Sequence, residues 1–113
     1  MENRAIANVV VIGTGMMGPG IAQTFASAGK WVTLVGRSAE SLARGRTSIE
    51  KILHTLQGAG LISAEEGLRT LERIDSTTEL ASAVAEADLV VESIVEDLPT
   101  KQDLFARLDK LCP

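Results

Sequence analysis

The chain has 113 residues, enough for one hydrophobic core but at the low end for a doubly wound domain. A net charge of −4, with no basic run and no aromatic–basic stripe, argues against nucleic acid as a main partner. No apolar run approaches bilayer-spanning length and nothing ahead of the first strand resembles a signal peptide, so no membrane partner is expected; the lone Cys112 cannot form an internal disulfide and suits a cytoplasmic location.

The first predicted strand is Asn8–Ile12, a β-branched run of the kind buried in parallel sheets. It runs straight into Gly13-Thr14-Gly15-Met16-Met17-Gly18, a G-x-G-x-x-G turn. The three glycines serve different ends. Gly13 permits the tight turn, Gly15 lets the backbone approach a diphosphate, and Gly18 lets the following helix pack close to the strand. That helix is expected from residue 17 or 18 to 28, with Pro19 in its first turn, Ile21, Ala22, Phe25 and Ala26 on the inner face, and Gly29 ending it. Its N–H groups and positive dipole end suit a dianion. A motif this short is weak alone and strong between a β-branched strand and an apolar helix.

A second apolar strand, Trp31–Val35, completes a βαβ unit. Next comes a long helix over Ala39–Gly58, carrying Leu42, Ile49, Leu53 and Leu56 on one face and broken by Gly58-Ala59-Gly60. Ser63-Ala64-Glu65-Glu66 is a capping box that opens a short helix to about Leu71. Two helices thus stand where a crossover needs one. Ile74–Thr77 reads as a third strand, 78–86 as a short helix and 89–93 as a fourth strand whose carboxyl end lies beside that of the first, at the switch point. Pro99 opens a last helix with Leu104, Phe105, Leu108 and Leu111 inside. The expectation is an α/β, Rossmann-type doubly wound parallel sheet with a helical hairpin after the second strand. Residues 1–113 would form one dinucleotide-binding domain, truncated before its later strands.

The order and wording of these segments resemble the NAD-binding half of the 3-hydroxyacyl-CoA dehydrogenases. The resemblance rests on 11–18 with Gly20-Ile21-Ala22-Gln23, on Ile74-Asp75-Ser76-Thr77-Thr78, on the segment 87–98, and on Lys101, Leu104-Phe105, Leu108-Asp109 and Cys112-Pro113. It implies oxidation of an L-3-hydroxyacyl-CoA to the 3-ketoacyl-CoA with hydride passing to a nicotinamide, an acyl-CoA substrate held through the missing half, and a homodimeric parent protein. It also places Glu96 and Lys101 against the cofactor, where a carboxylate can accept from ribose hydroxyls and a lysine can donate to them. A solvated ion pair beside a helix start is the plainer account of the two. Glu92 reads as an acceptor of loop amides and is not assigned to the site.

Two departures stand out. Gly36, Arg37 and Ser38 follow the second strand where the family usually has Asp to bind the adenine ribose. Glycine leaves room for a 2′-phosphate, Arg37 can grip it with a forked guanidinium, and Ser38 can add a hydroxyl, so these residues read as an NADP pocket against the family's NAD. Arg37 stacked on the adenine of plain NAD is the competing account. The second departure is the missing base. The resemblance implies a His–Glu pair with Ser and Asn on the thioester, all beyond the fifth strand, and none of them falls within 1–113. His54, the only histidine, lies mid-helix without an acidic partner and is read as a surface or hairpin-contact residue. No catalytic residue and no metal ligand is therefore assigned, and the chain alone is expected to bind cofactor without turnover. Arg44, Arg46 and Lys51 could serve CoA phosphates, though a solvated face explains them as well. The alternatives are a related hydroxy-acid or carnitine-type dehydrogenase and a non-catalytic nucleotide-binding module. A methyltransferase fits less well, because Arg37-Ser38 replaces its acidic ribose ligand.

Overall fold

The structure, a computed structural model, describes residues 7–13 and 17–92. The four strands are β1 (Asn8–Ile12), β2 (Trp31–Val35), β3 (Ile74–Thr77) and β4 (Leu89–Glu92). Between them run α1 (Gly18–Ser27), α2 (Ala39–Gly58), α3 (Ala64–Glu72) and α4 (Leu80–Val84). All strand pairs are parallel and the order is β3-β2-β1-β4. Asn8 pairs with Trp31 and Ile12 with Val35, while Val9 pairs with Leu89 and Ile12 with Glu92. The chain moves outward from β1 through β2 to β3, then returns to the other side of β1.

Alternation along β1 and β2 divides the apolar side chains between two faces. Val9, Val11, Val32 and Leu34 join Ile74 and pack under Ala22 and Ala26 of α1 and Leu42, Ile49 and Leu53 of α2. Val10, Ile12 and Val35 face the other way, against Leu80 and Val84 of α4. A strand buried on both sides has no use for polar residues, which is why β1 reads as an unbroken Val/Ile run.

The helix ends are set by local chemistry. α2 closes in a Schellman motif: Leu61 N–H donates to the Leu56 carbonyl and Gly60 N–H to that of Gln57, each at 3.0 Å. Gly60 holds φ at 75°, a conformation that a Cβ would strain. α1 closes the same way, through Lys30 N–H to Phe25 and Gly29 N–H to Ala26. α3 opens on Ser63, whose hydroxyl accepts from Glu66 N–H while Glu66 accepts from Ser63 N–H. α4 is shorter than the expected 78–86. Thr77 Oγ1 accepts from Glu79 N–H, a turn that holds Glu79 extended and delays the helix. The last helix expected from Pro99 lies outside the described residues.

Candidate dinucleotide site

The crevice of this topology opens above Ile12. From there the chain leaves through α1 toward β2, whereas β4 lines the other side of β1. Gly13 occupies this point with φ at 108°, outside the range an L side chain adopts without strain. Its N–H donates to the Val35 carbonyl at 2.8 Å, extending the β1–β2 ladder by one step. α1 starts at Gly18, which is buried together with Pro19. Its N-cap, Met17, provides no side-chain acceptor, and no acid occupies the first turn. α2 and α3, by contrast, begin in serine capping boxes. The first turn of α1 thus keeps N–H groups and the positive end of its dipole for an anion. A positive-φ glycine and an uncapped helix at the switch point fit a dinucleotide diphosphate. Met17 is exposed at the helix start. Thr14, Gly15 and Met16 lie outside the described residues.

Gly36, Arg37 and Ser38 come to the same end of the sheet, because Ile12 and Val35 are paired. Gly36 N–H donates to the Thr77 carbonyl at 3.1 Å. A Cβ at Gly36 would lie 2.9 Å from both Leu42 Cδ2 and Ser41 Oγ. Glycine at this position therefore answers to the packing of α2's first turn, a reason distinct from the ligand space expected of it. Arg37 is exposed and bonds to no other described side chain or backbone group. Ser38 is the N-cap of α2, and its hydroxyl accepts from Ser41 N–H at 3.1 Å. Ser41 Oγ in turn accepts from Ser38 N–H at 3.2 Å and donates to the Ser38 carbonyl at 3.0 Å. Leu42 is on the inner face expected of it, whereas Ser41 is not singled out by its residue type; the Ser-x-x-Ser spacing of 38–41, an N-terminal helix signature, is the signal that could have found it.

Glu96 and Lys101 lie outside the described residues. Glu92 is half-buried and in register with Ile12, at the rim of the crevice. His54 is exposed on α2 and lines, with Glu50, Lys51 and Leu68, an open groove of roughly 710 Å³ between α2 and α3. Arg44 and Arg46 are exposed outside it. Among the described residues no three of His, Cys, Asp and Glu converge as metal ligands, and no helix is long and apolar enough to cross a membrane.

Residues 8–113 match the family described as "3-hydroxyacyl-CoA dehydrogenase, NAD binding domain". The mitochondrial hydroxyacyl-coenzyme A dehydrogenase of Homo sapiens is 42% identical over 110 residues, covering 93% of this chain and 35% of that protein. A crystal structure of 3-hydroxybutyryl-CoA dehydrogenase from Escherichia coli K12 superposes with a TM-score of 0.90 at 41% identity, covering 97% of this chain and 23% of that one. A diketoreductase acting on dicarbonyl compounds superposes with a TM-score of 0.90 at 30% identity, covering 98% of this chain and 40% of that one. The chain spans about a third of the length of the human relative. With Gly13 at the switch point, the helical hairpin after β2 and a match over nearly its whole length, the chain belongs to the 3-hydroxyacyl-CoA dehydrogenase family, as its NAD-binding domain.

Proposed function

We propose that this chain is the cofactor-holding part of an oxidoreductase that oxidises L-3-hydroxyacyl-CoA thioesters to 3-ketoacyl-CoA, as in fatty-acid β-oxidation. The observation that carries the proposal is the positive-φ Gly13 and the uncapped α1 at the switch point between β1 and β4. Bound there, a nicotinamide dinucleotide would accept the hydride from C3 of the substrate. Thr14, Gly15, Met16, Met17 and Gly18 would hold the diphosphate through backbone N–H groups, with Gly13, whose own N–H is engaged by Val35, setting the turn, while Gly36, Arg37 and Ser38 would meet the adenine ribose. Glu96 and Lys101 complete the set on the resemblance alone. The family's description supports NAD; an arginine after β2 with no acid beside it supports NADP.

No base for the hydroxyl proton is assigned within this chain, because His54, its only histidine, is exposed on α2. Cofactor binding without turnover is therefore the expected behaviour of the 113-residue chain. A homodimeric parent and a cytoplasmic site of action belong to the same reading, the first from the resemblance and the second from the single cysteine. The diketoreductase likeness favours a second reading, in which a different hydroxy or keto substrate is served by the same cofactor fold.

Calorimetric titration with NADH and NADPH tests the proposal. One-to-one saturation by at least one of them, lost on Gly18→Val, is expected, with no reduced nicotinamide formed when 3-hydroxybutyryl-CoA is offered with NAD⁺ or NADP⁺. Absence of binding to both would sink it.

A further inference from the structure

The end of β2 differs from the usual dinucleotide site in having no acid. An acid at position 36 is the common means of gripping an unphosphorylated ribose. Here the space such a side chain needs is taken: its Cβ would stand 2.9 Å from Ser41 Oγ and from Leu42 Cδ2, closer than such atoms pack. Leu42 is buried in the core, so it yields only at the expense of packing. Ser41 Oγ is fixed by two bonds, one from Ser38 N–H and one to the Ser38 carbonyl. Moving it opens the half of the α2 capping box that Ser41 supplies. The Ser38 hydroxyl is engaged in the same box. Of the three residues after β2, Arg37 alone has a side chain free of other described groups.

The geometry points to Ser41 as a specificity-determining position: capping Ser38, it fills the space at Gly36 together with Leu42, bars an acid from the end of β2 and leaves Arg37 to bind the 2′-phosphate of NADP. This inference rests on the proposed dinucleotide site. It gives glycine and arginine separate roles. Gly36 is empty because α2 needs it empty, and the discrimination itself lies in the guanidinium, whose forked donors match a phosphate dianion.

The 113-residue chain is titrated by calorimetry with NADP⁺, NAD⁺, 2′,5′-ADP and 5′-ADP, and each variant's melting temperature is recorded. NADP⁺ is expected to bind at least about tenfold more tightly than NAD⁺, the yield of one or two charge-assisted hydrogen bonds. The same ratio is expected between 2′,5′-ADP and 5′-ADP. Arg37→Ala should cost NADP⁺ at least about tenfold more affinity than it costs NAD⁺, bringing the two level, with melting unchanged. Gly36→Asp alone should lower the melting temperature without improving NAD⁺ binding. Gly36→Asp combined with Ser41→Ala should recover part of the melting temperature and turn the preference to NAD⁺. Equal affinities that Arg37→Ala leaves untouched would overturn the assignment, as would Gly36→Asp switching preference with unchanged melting. Arg37→Ala changes no packed side chain, so it decides the phosphate contact even if Gly36→Asp does not fold. Failure of all four ligands to bind would instead overturn the dinucleotide site itself.

Discussion

Asp88 ties the starts of two strands together. Its Oδ2 accepts from Ala7 N–H at 3.0 Å and from Asn8 N–H at 2.9 Å, while its own N–H donates to the Asn8 carbonyl at 2.9 Å. An ionised carboxylate gripping two backbone donors is among the stronger hydrogen-bonded arrangements. Its effect is to fix β4 against β1 one step before their pairing begins at Val9 and Leu89. Asp88→Ala is expected to cost about 1–3 kcal/mol in urea unfolding, because two donors lose their partner at once. Asp88→Asn, which keeps one acceptor oxygen, should cost less. Equal stability of Asp88→Ala and the parent chain would remove the clamp from the account. Arg73 makes a comparable long-range link, donating from Nη1 to the Ala26 carbonyl at 3.0 Å and bringing a cation to the carboxyl end of α1.

At the level of elements, the α2–α3 hairpin depends on one close approach. A Cβ on Gly67 of α3 would meet Nε2 of Gln57 on α2, closer than such atoms pack. The obstacle is the end of a flexible side chain, so it can be removed without touching the backbone. Gly67→Ala in a Gln57→Ala background is expected to stabilise the hairpin by about 0.5–1 kcal/mol, the usual gain of alanine over glycine inside a helix. In the native background that gain should shrink or reverse, giving a coupling of at least about 0.5 kcal/mol in a double-mutant cycle. Additive effects would show that Gln57 moves aside freely. Contacts of this kind also mark the limit of what the residues alone convey. The bounds of β1 and β2 were legible, since short β-branched runs that end at a glycine have few other uses, and β3 has the bounds expected of it although Ile74-Asp75-Ser76-Thr77 is a weaker pattern. The two Schellman glycines and the Ser63 box were legible for the same local reason. The crowding at Gly36 was not, because the atoms responsible arrive from a helix turn five and six residues later. The links from Asp88 to Asn8 and from Arg73 to Ala26 span most of the chain or nearly half of it, and no local pattern encodes them.

For the whole molecule, the sheet order places the site on its most stable element. β1 is paired on both sides, and Val9, Val10 and Val11 are each at most 2% exposed. β3 is the sheet's far strand, with Asp75 and Ser76 exposed and only Ile74 fully inside. Such a gradient implies two routes of amide exchange: β3 through local opening, β1 only through global unfolding. Because Gly13 directly follows β1, a ligand bound at the glycine turn is lost when β1 unfolds but survives fraying of β3. A ligand present at 100 times its dissociation constant raises the global opening free energy by about 2.7 kcal/mol. The β1 amides of Val10 and Val11 should then exchange roughly 100-fold more slowly, while those of Asp75 and Ser76 change little. Hydrogen exchange read by NMR with and without saturating NADPH measures both. Equal slowing in β1 and β3 would mean that β3 opens only when the whole sheet does. Slowing confined to β3 would place the ligand at the wrong edge of the sheet, away from the glycine turn.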